Sequence, residues 1–159
     1  MINKNFFVIS IILIAILSRF LPHPPNFTPI TAIALLSSKG FKNQLTAIFI
    51  PLIAMIISDF FIGFHSTIPF VYGSYILITF YGRLTKRISI STVVISSTIF
   101  FIVTNFGVWL MGYPNTLEGF ITCYTLATPF FVNTLLGDLF YSLLMIFSFN
   151  QLAKMQIVK

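Results

Sequence analysis

Acids and histidines are scarce in these 159 residues: Asp59, Glu118 and Asp138 are the acids, His23 and His65 the histidines, and Cys123 the single cysteine. Their spacing fits no catalytic pattern. There is no His-x-x-His, no His-Glu-x-x-His, no Walker loop and no Gly-x-Ser-x-Gly elbow. So few ligands leave little for metal-dependent hydrolysis, and nothing here hydrolyses ATP. The expectation is a protein that is not an enzyme, with no catalytic residue, metal or cofactor. One cysteine forbids an intrachain disulfide and leaves the redox compartment unreadable; Cys123 reads as a small apolar group.

What these residues can do is bind. Arg19, Asp59 and Asp138 lie in or beside apolar runs. Ionisable groups in such runs face the protein interior and are paired. Arg19 is therefore expected to neutralise an acid, with Asp59 as first choice and Asp138 as second. The candidate substrate contacts are Asn26, Thr28, Asp59, Asn105, Trp109 and Asp138, polar groups to fix a solute's edges beside aromatic rings to stack on it. Structural roles compete with this. The Arg19–Asp59 pair can serve only to lock two helices, and Asp138 can bond helix-start amides.

The elements that position these residues follow from composition. The chain is 57% hydrophobic and 8% charged, with a mean hydropathy of +0.99. A soluble domain carries about a quarter charged residues, so the chain reads as an all-α membrane protein forming one domain over residues 1–159. Six transmembrane segments are expected, at about 5–21, 29–38, 45–64, 68–82, 88–111 and 129–149. The first resembles a signal sequence but lacks a small-x-small cleavage site, so it reads as a retained helix. Thr28-Pro29, Thr67-Ile68-Pro69 and Thr128-Pro129 read as capped helix starts.

Basic residues test the map. Lys4, Lys39, Lys42, Arg83, Lys86, Arg87, Lys154 and Lys159 all fall on one side of a six-span bundle, and only Arg19 on the other. The positive-inside rule makes the crowded side cytoplasmic, with both termini inside. The net charge of +6 is then a topology signal, and nucleic acid is not an expected partner. Membrane lipid is.

The stretch "RFLPHPPNFTPITAIALL", Arg19 to Leu36, interrupts the apolar pattern with four prolines. The helix after it is short, about half a bilayer core. Irregular chain before it is tolerated at membrane depth only where protein or a water-lined cavity satisfies its backbone. The expectation is a broken helix whose N-terminus, capped by Thr28, faces an outward cavity beside Asn26. Asn26→Leu is expected to abolish ligand binding with the fold intact. The plain alternative is a proline-rich outer loop.

The strings "SRFLPHPPNFTPITAIALLSS", "IISDFFIGFH" and "VTNFGVWLMGYPNTLEGFITCYTLATPFFVNTLLGDLFY" resemble a family of uncharacterised small bacterial inner-membrane proteins. More distantly, the layout resembles the substrate-binding (S) components of energy-coupling-factor vitamin transporters. The resemblance implies six helices with both termini inside, an outward pocket for a vitamin or metal ion, and docking to a coupling transmembrane subunit with ATPases. S components commonly dock through Ala-x-x-x-Ala in helix one. The nearest small-x-x-x-small spacing here is Ala34 and Ser38, in helix two.

The leading expectation is a multi-pass protein of the bacterial inner membrane that captures a small polar or vitamin-like solute for uptake. Two others stand beside it. One is a self-sufficient transporter driven by protons through Asp59 and Asp138, and the other an accessory or scaffold subunit of a membrane complex.

Overall fold

The computed structural model describes residues 4–154. Its elements are six helices: α1 (Lys4–Phe20), α2 (Ile30–Gly40), α3 (Gln44–Ile62), α4 (Ile68–Leu84), α5 (Ile90–Gly112) and α6 (Leu117–Lys154). Three apolar stretches are long enough to cross a membrane: Gln44–Ile62, Ile90–Gly112 and Leu117–Ser148. The bundle's surface is apolar as well. Leu17, Phe60, Phe61, Leu77, Phe80 and Phe147 are all exposed. A protein bathed in water rarely presents such continuous apolar area. Lys159, assigned above to the basic side, lies outside the described residues.

The short α2 is the centre of the molecule. Ile30, Ile33, Ala34 and Leu35 are buried, and so are Thr31, Ser37 and Ser38. A helix that is covered on every side needs no polar face. Its small residues permit close contact: a Cβ added at Gly82 of α4 would strike Ser38 and Leu35. Ala34 and Ser38 are thus enclosed by the protein's own helices and offer no docking face to a separate subunit.

Polar side chains repair what proline breaks. Pro51 sits inside α3 and has no N–H for the carbonyl of Ala47, one turn earlier. Ser37 Oγ of α2 donates to that carbonyl at 2.8 Å. Freed backbone groups in membrane helices are commonly satisfied in this way by a neighbour's hydroxyl.

Helix starts correct the expectations. Thr28 does not cap α2: Pro29 takes the N-cap position and no side-chain cap bond forms. Thr67 is the N-cap of α4, also without a side-chain cap bond. Both N-cap residues have ψ of 3°, whereas a capping side chain needs extended backbone to reach the N2 or N3 amide. Asn43 and Ser89 have that backbone. Asn43 accepts from Leu45 and Thr46, and Ser89 from Thr92.

The largest difference is α6. Thr128-Pro129 is no start, because Pro129 lies within the helix. The helix begins twelve residues before the expected boundary at 129, at Leu117, with Thr116 Oγ1 accepting from the Gly119 amide at 3.1 Å. Glu118, which falls between the expected segments 88–111 and 129–149, is in its first turn, where the helix dipole favours an acid.

The segment joining α1 and α2 is a packed turn. The Phe27 amide donates to the Pro24 carbonyl at 3.0 Å, and Asn26 takes a φ of 65°. Pro25 and Asn26 thus hold the central positions of a type II geometry, which needs positive φ at the second. The Phe27 ring meets Phe140 and Tyr141 at 5.9 and 5.6 Å. Its backbone lies so close to Gly137 that any Cβ there would collide with it. At the opposite end of the bundle, Lys39 Nζ donates to the Thr85 carbonyl, and Arg83 to the carbonyls of Phe41 and Lys42. The α2–α3 and α4–α5 turns, which together with the last turns of α2 and α4 carry five basic residues, therefore meet at one end.

Candidate functional site

A cavity of about 540 Å³ opens at the end where α1, α3 and α5 finish and α4 and α6 begin. Its walls are mixed, with six phenylalanines and tyrosines among aliphatic and polar side chains. Tyr75 and Phe100 are buried in them with ring centroids 5.3 Å apart, and Phe101 and Phe131 meet at 4.8 Å. Polar groups are at least as numerous: Arg19, Asn26, Thr28, Thr104 and Asn105 are among them, with His23 and His65. Asn105 Nδ2 donates to the Phe101 carbonyl at 2.8 Å, and its Oδ1 has no partner among the described residues. Thr28 lines the cavity together with Tyr75. Asn26 and His65 are exposed and stand at the rim.

Asp59 and Asp138 lie behind the wall. Arg19 Nη1 is 2.6 Å from Asp59 Oδ1, and the Tyr72 hydroxyl donates to Oδ2 at 2.8 Å. Ser58 Oγ accepts from Arg19 at 2.5 Å. Asp59 is completely buried, so these donors are what makes its burial tolerable. Asp138, 2% exposed, accepts from Ser97 Oγ at 2.7 Å. Ser142, one turn further along α6, is buried with no hydrogen-bond partner among the described residues.

The candidate residues thus divide. Asn26, Thr28 and Asn105 line the cavity together with Arg19, whereas Asp59, Asp138 and Trp109 do not. Trp109 instead donates its indole N–H to the Pro114 carbonyl at 3.1 Å and packs on Phe120 at 5.3 Å. Sequence reasoning missed Tyr72, Tyr75 and Ser97. Nothing in one sequence tells which tyrosine or serine on a neighbouring helix will face a buried carboxylate. No group of three His, Cys, Asp or Glu side chains that could hold a metal ion occurs among the described residues.

An all-helical bundle with an apolar surface, three membrane-length helices and a cavity at one end has the features of a membrane protein. The chain belongs to the Family of unknown function (DUF6580), whose model matches residues 1–158. No curated protein and no solved structure is significantly similar to it.

Proposed function

We propose that this protein captures a small polar, partly aromatic solute, such as a vitamin or its precursor, for uptake across a bacterial inner membrane. The observation that carries the reading is the cavity: about 540 Å³, within the range of ligand sites, with aromatic rings and polar groups together in its wall. Its mechanism is binding, with no chemical step. The protein crosses the bilayer six times with both termini inside. Helices α1 and α4, of 17 residues each, rise about 25 Å, near the ~30 Å core. Helix α2 crosses because the packed turn before it covers the remaining depth. The end bearing Lys39, Lys42, Arg83, Lys86 and Arg87 faces the cytoplasm, so the cavity opens outward. An S-component-like partnership with a coupling transmembrane subunit and its ATPases would supply the energy. Mass spectrometry of the detergent-extracted protein tests capture: a stoichiometric co-purifying small molecule is expected, and its absence from protein purified without depletion counts against the reading.

A second reading, proton-coupled transport by the protein alone, draws on Asp138. It is buried with no ion-pair partner among the described residues. Uptake by proteoliposomes containing only this chain, driven by an imposed proton gradient and lost in Asp138→Asn, would favour it.

A further inference from the structure

We infer that the solute is an anion, a carboxylate on an aromatic body, and that Arg19 holds its charged group. The inference rests on the capture reading above. One arginine and two histidines line the cavity, and no acid does. The Arg19 side chain is 15% exposed, while that of Asp59 is 1% exposed. The ion pair is therefore turned, with guanidinium forward and carboxylate behind. A solute cannot reach the carboxylate, since Arg19 and Tyr72 fill its two oxygens.

The guanidinium is only half used. Its polar contacts all lie at Nη1, whose two hydrogens are shared among Asp59, Ser58 and both the carbonyl and the sulfur of Met55. Nη2 and Nε have no partner among the described residues. A guanidinium held on one nitrogen presents its other N–H groups in a fixed direction. Such a fork matches a carboxylate in two parallel bonds, where an ammonium acts as a point charge. The Asp59 charge does not cancel this at the cavity face, because it lies on the far side of the guanidinium and is the more distant charge to a bound solute. A cationic solute would meet Arg19 with no wall carboxylate to balance it. The aromatic rings favour a flat body of matching size.

The test uses the purified full-length protein in detergent and a pair of probes of equal shape, 2-naphthoate and 2-naphthamide, titrated calorimetrically. The carboxylate is expected to bind at least tenfold more tightly. Arg19→Lys keeps a cation for Asp59 but has one nitrogen, so it should erase most of that preference by weakening the carboxylate probe far more than the amide. Should that variant fail to fold, the doubly neutral Arg19→Gln/Asp59→Asn protein is the substitute, with the same expectation. A merely structural arginine would lower binding of both probes alike, or of neither. Equal binding of the two probes to the native protein, or a preference that survives both variants, overturns the inference and leaves capture standing. Failure of both probes to bind the native protein overturns the inference and counts against capture as well.

Discussion

Arg19 and Asp59 show the terms on which charge is admitted to an apolar bundle. Two ions leaving water lose several kcal/mol each in solvation, and here Ser58, Tyr72 and the Met55 carbonyl supply additional polar contacts. Removing one partner strands the other, so Arg19→Ala should lower stability by roughly 3–5 kcal/mol. The neutral pair Arg19→Gln/Asp59→Asn should lose clearly less than the sum of its single variants. Denaturant unfolding in detergent measures both, and strict additivity would show the two side chains uncoupled. Asn26 is constrained differently. Its φ of 65° suits asparagine and glycine but strains a branched side chain. Asn26→Leu therefore cannot be the neutral probe of binding that the sequence suggested. It should destabilise by about 1–3 kcal/mol, whereas Asn26→Gly should leave the melting temperature nearly unchanged and remove only the rim contact.

Proline within a helix has opposite meanings in α3 and in sequence reasoning about α6. In both helices the chain continues past the ring. For Pro51 the reason is visible, since Ser37 donates to the freed Ala47 carbonyl. Ser37→Ala should leave that carbonyl unsatisfied, at about 1–3 kcal/mol. In a Pro51→Ala background the helix supplies its own N–H, so the loss of Ser37 should be markedly smaller. Equal losses in the two backgrounds, by unfolding, would mean that Ser37 acts only through packing. At the start of α6 the working signal is Thr116 rather than Thr128. Thr116→Ala should cost about 1 kcal/mol, typical of a lost N-cap, and Thr128→Ala little, as its hydroxyl only back-bonds within the helix.

The proposed orientation is a property of the whole bundle. Lys42 and Lys86 belong to turns at the basic end. Glu118 is in the first turn of α6, near the cavity end. In a Cys123→Ala background, Lys42→Cys and Lys86→Cys should react with an impermeant thiol reagent only from the cytoplasmic side, and Glu118→Cys only from outside. Labelling of the Lys42 site from outside would mean that α2 does not complete a crossing and would remove the six-span arrangement.

Composition and patterning alone decide that this chain is helical and apolar outside. Residues 45–64 and 88–111 already match α3 and α5 to within two residues at each end, because long apolar runs leave the backbone no partner in lipid but itself. Local signals failed where two of them compete. Thr-Pro reads as a helix start at residue 128 as well as at 28, and neither threonine caps. A cap depends on backbone dihedrals, which neighbouring helices set. The same holds for the candidate site. Sequence picks out Asn26, Thr28, Asp59, Asn105, Trp109 and Asp138 as polar or amphipathic groups in oily surroundings, but it has no measure of depth. Tertiary packing put Asn26, Thr28 and Asn105 on the cavity wall and both aspartates behind it, because a carboxylate in an apolar interior settles where hydroxyl and guanidinium donors from other helices converge.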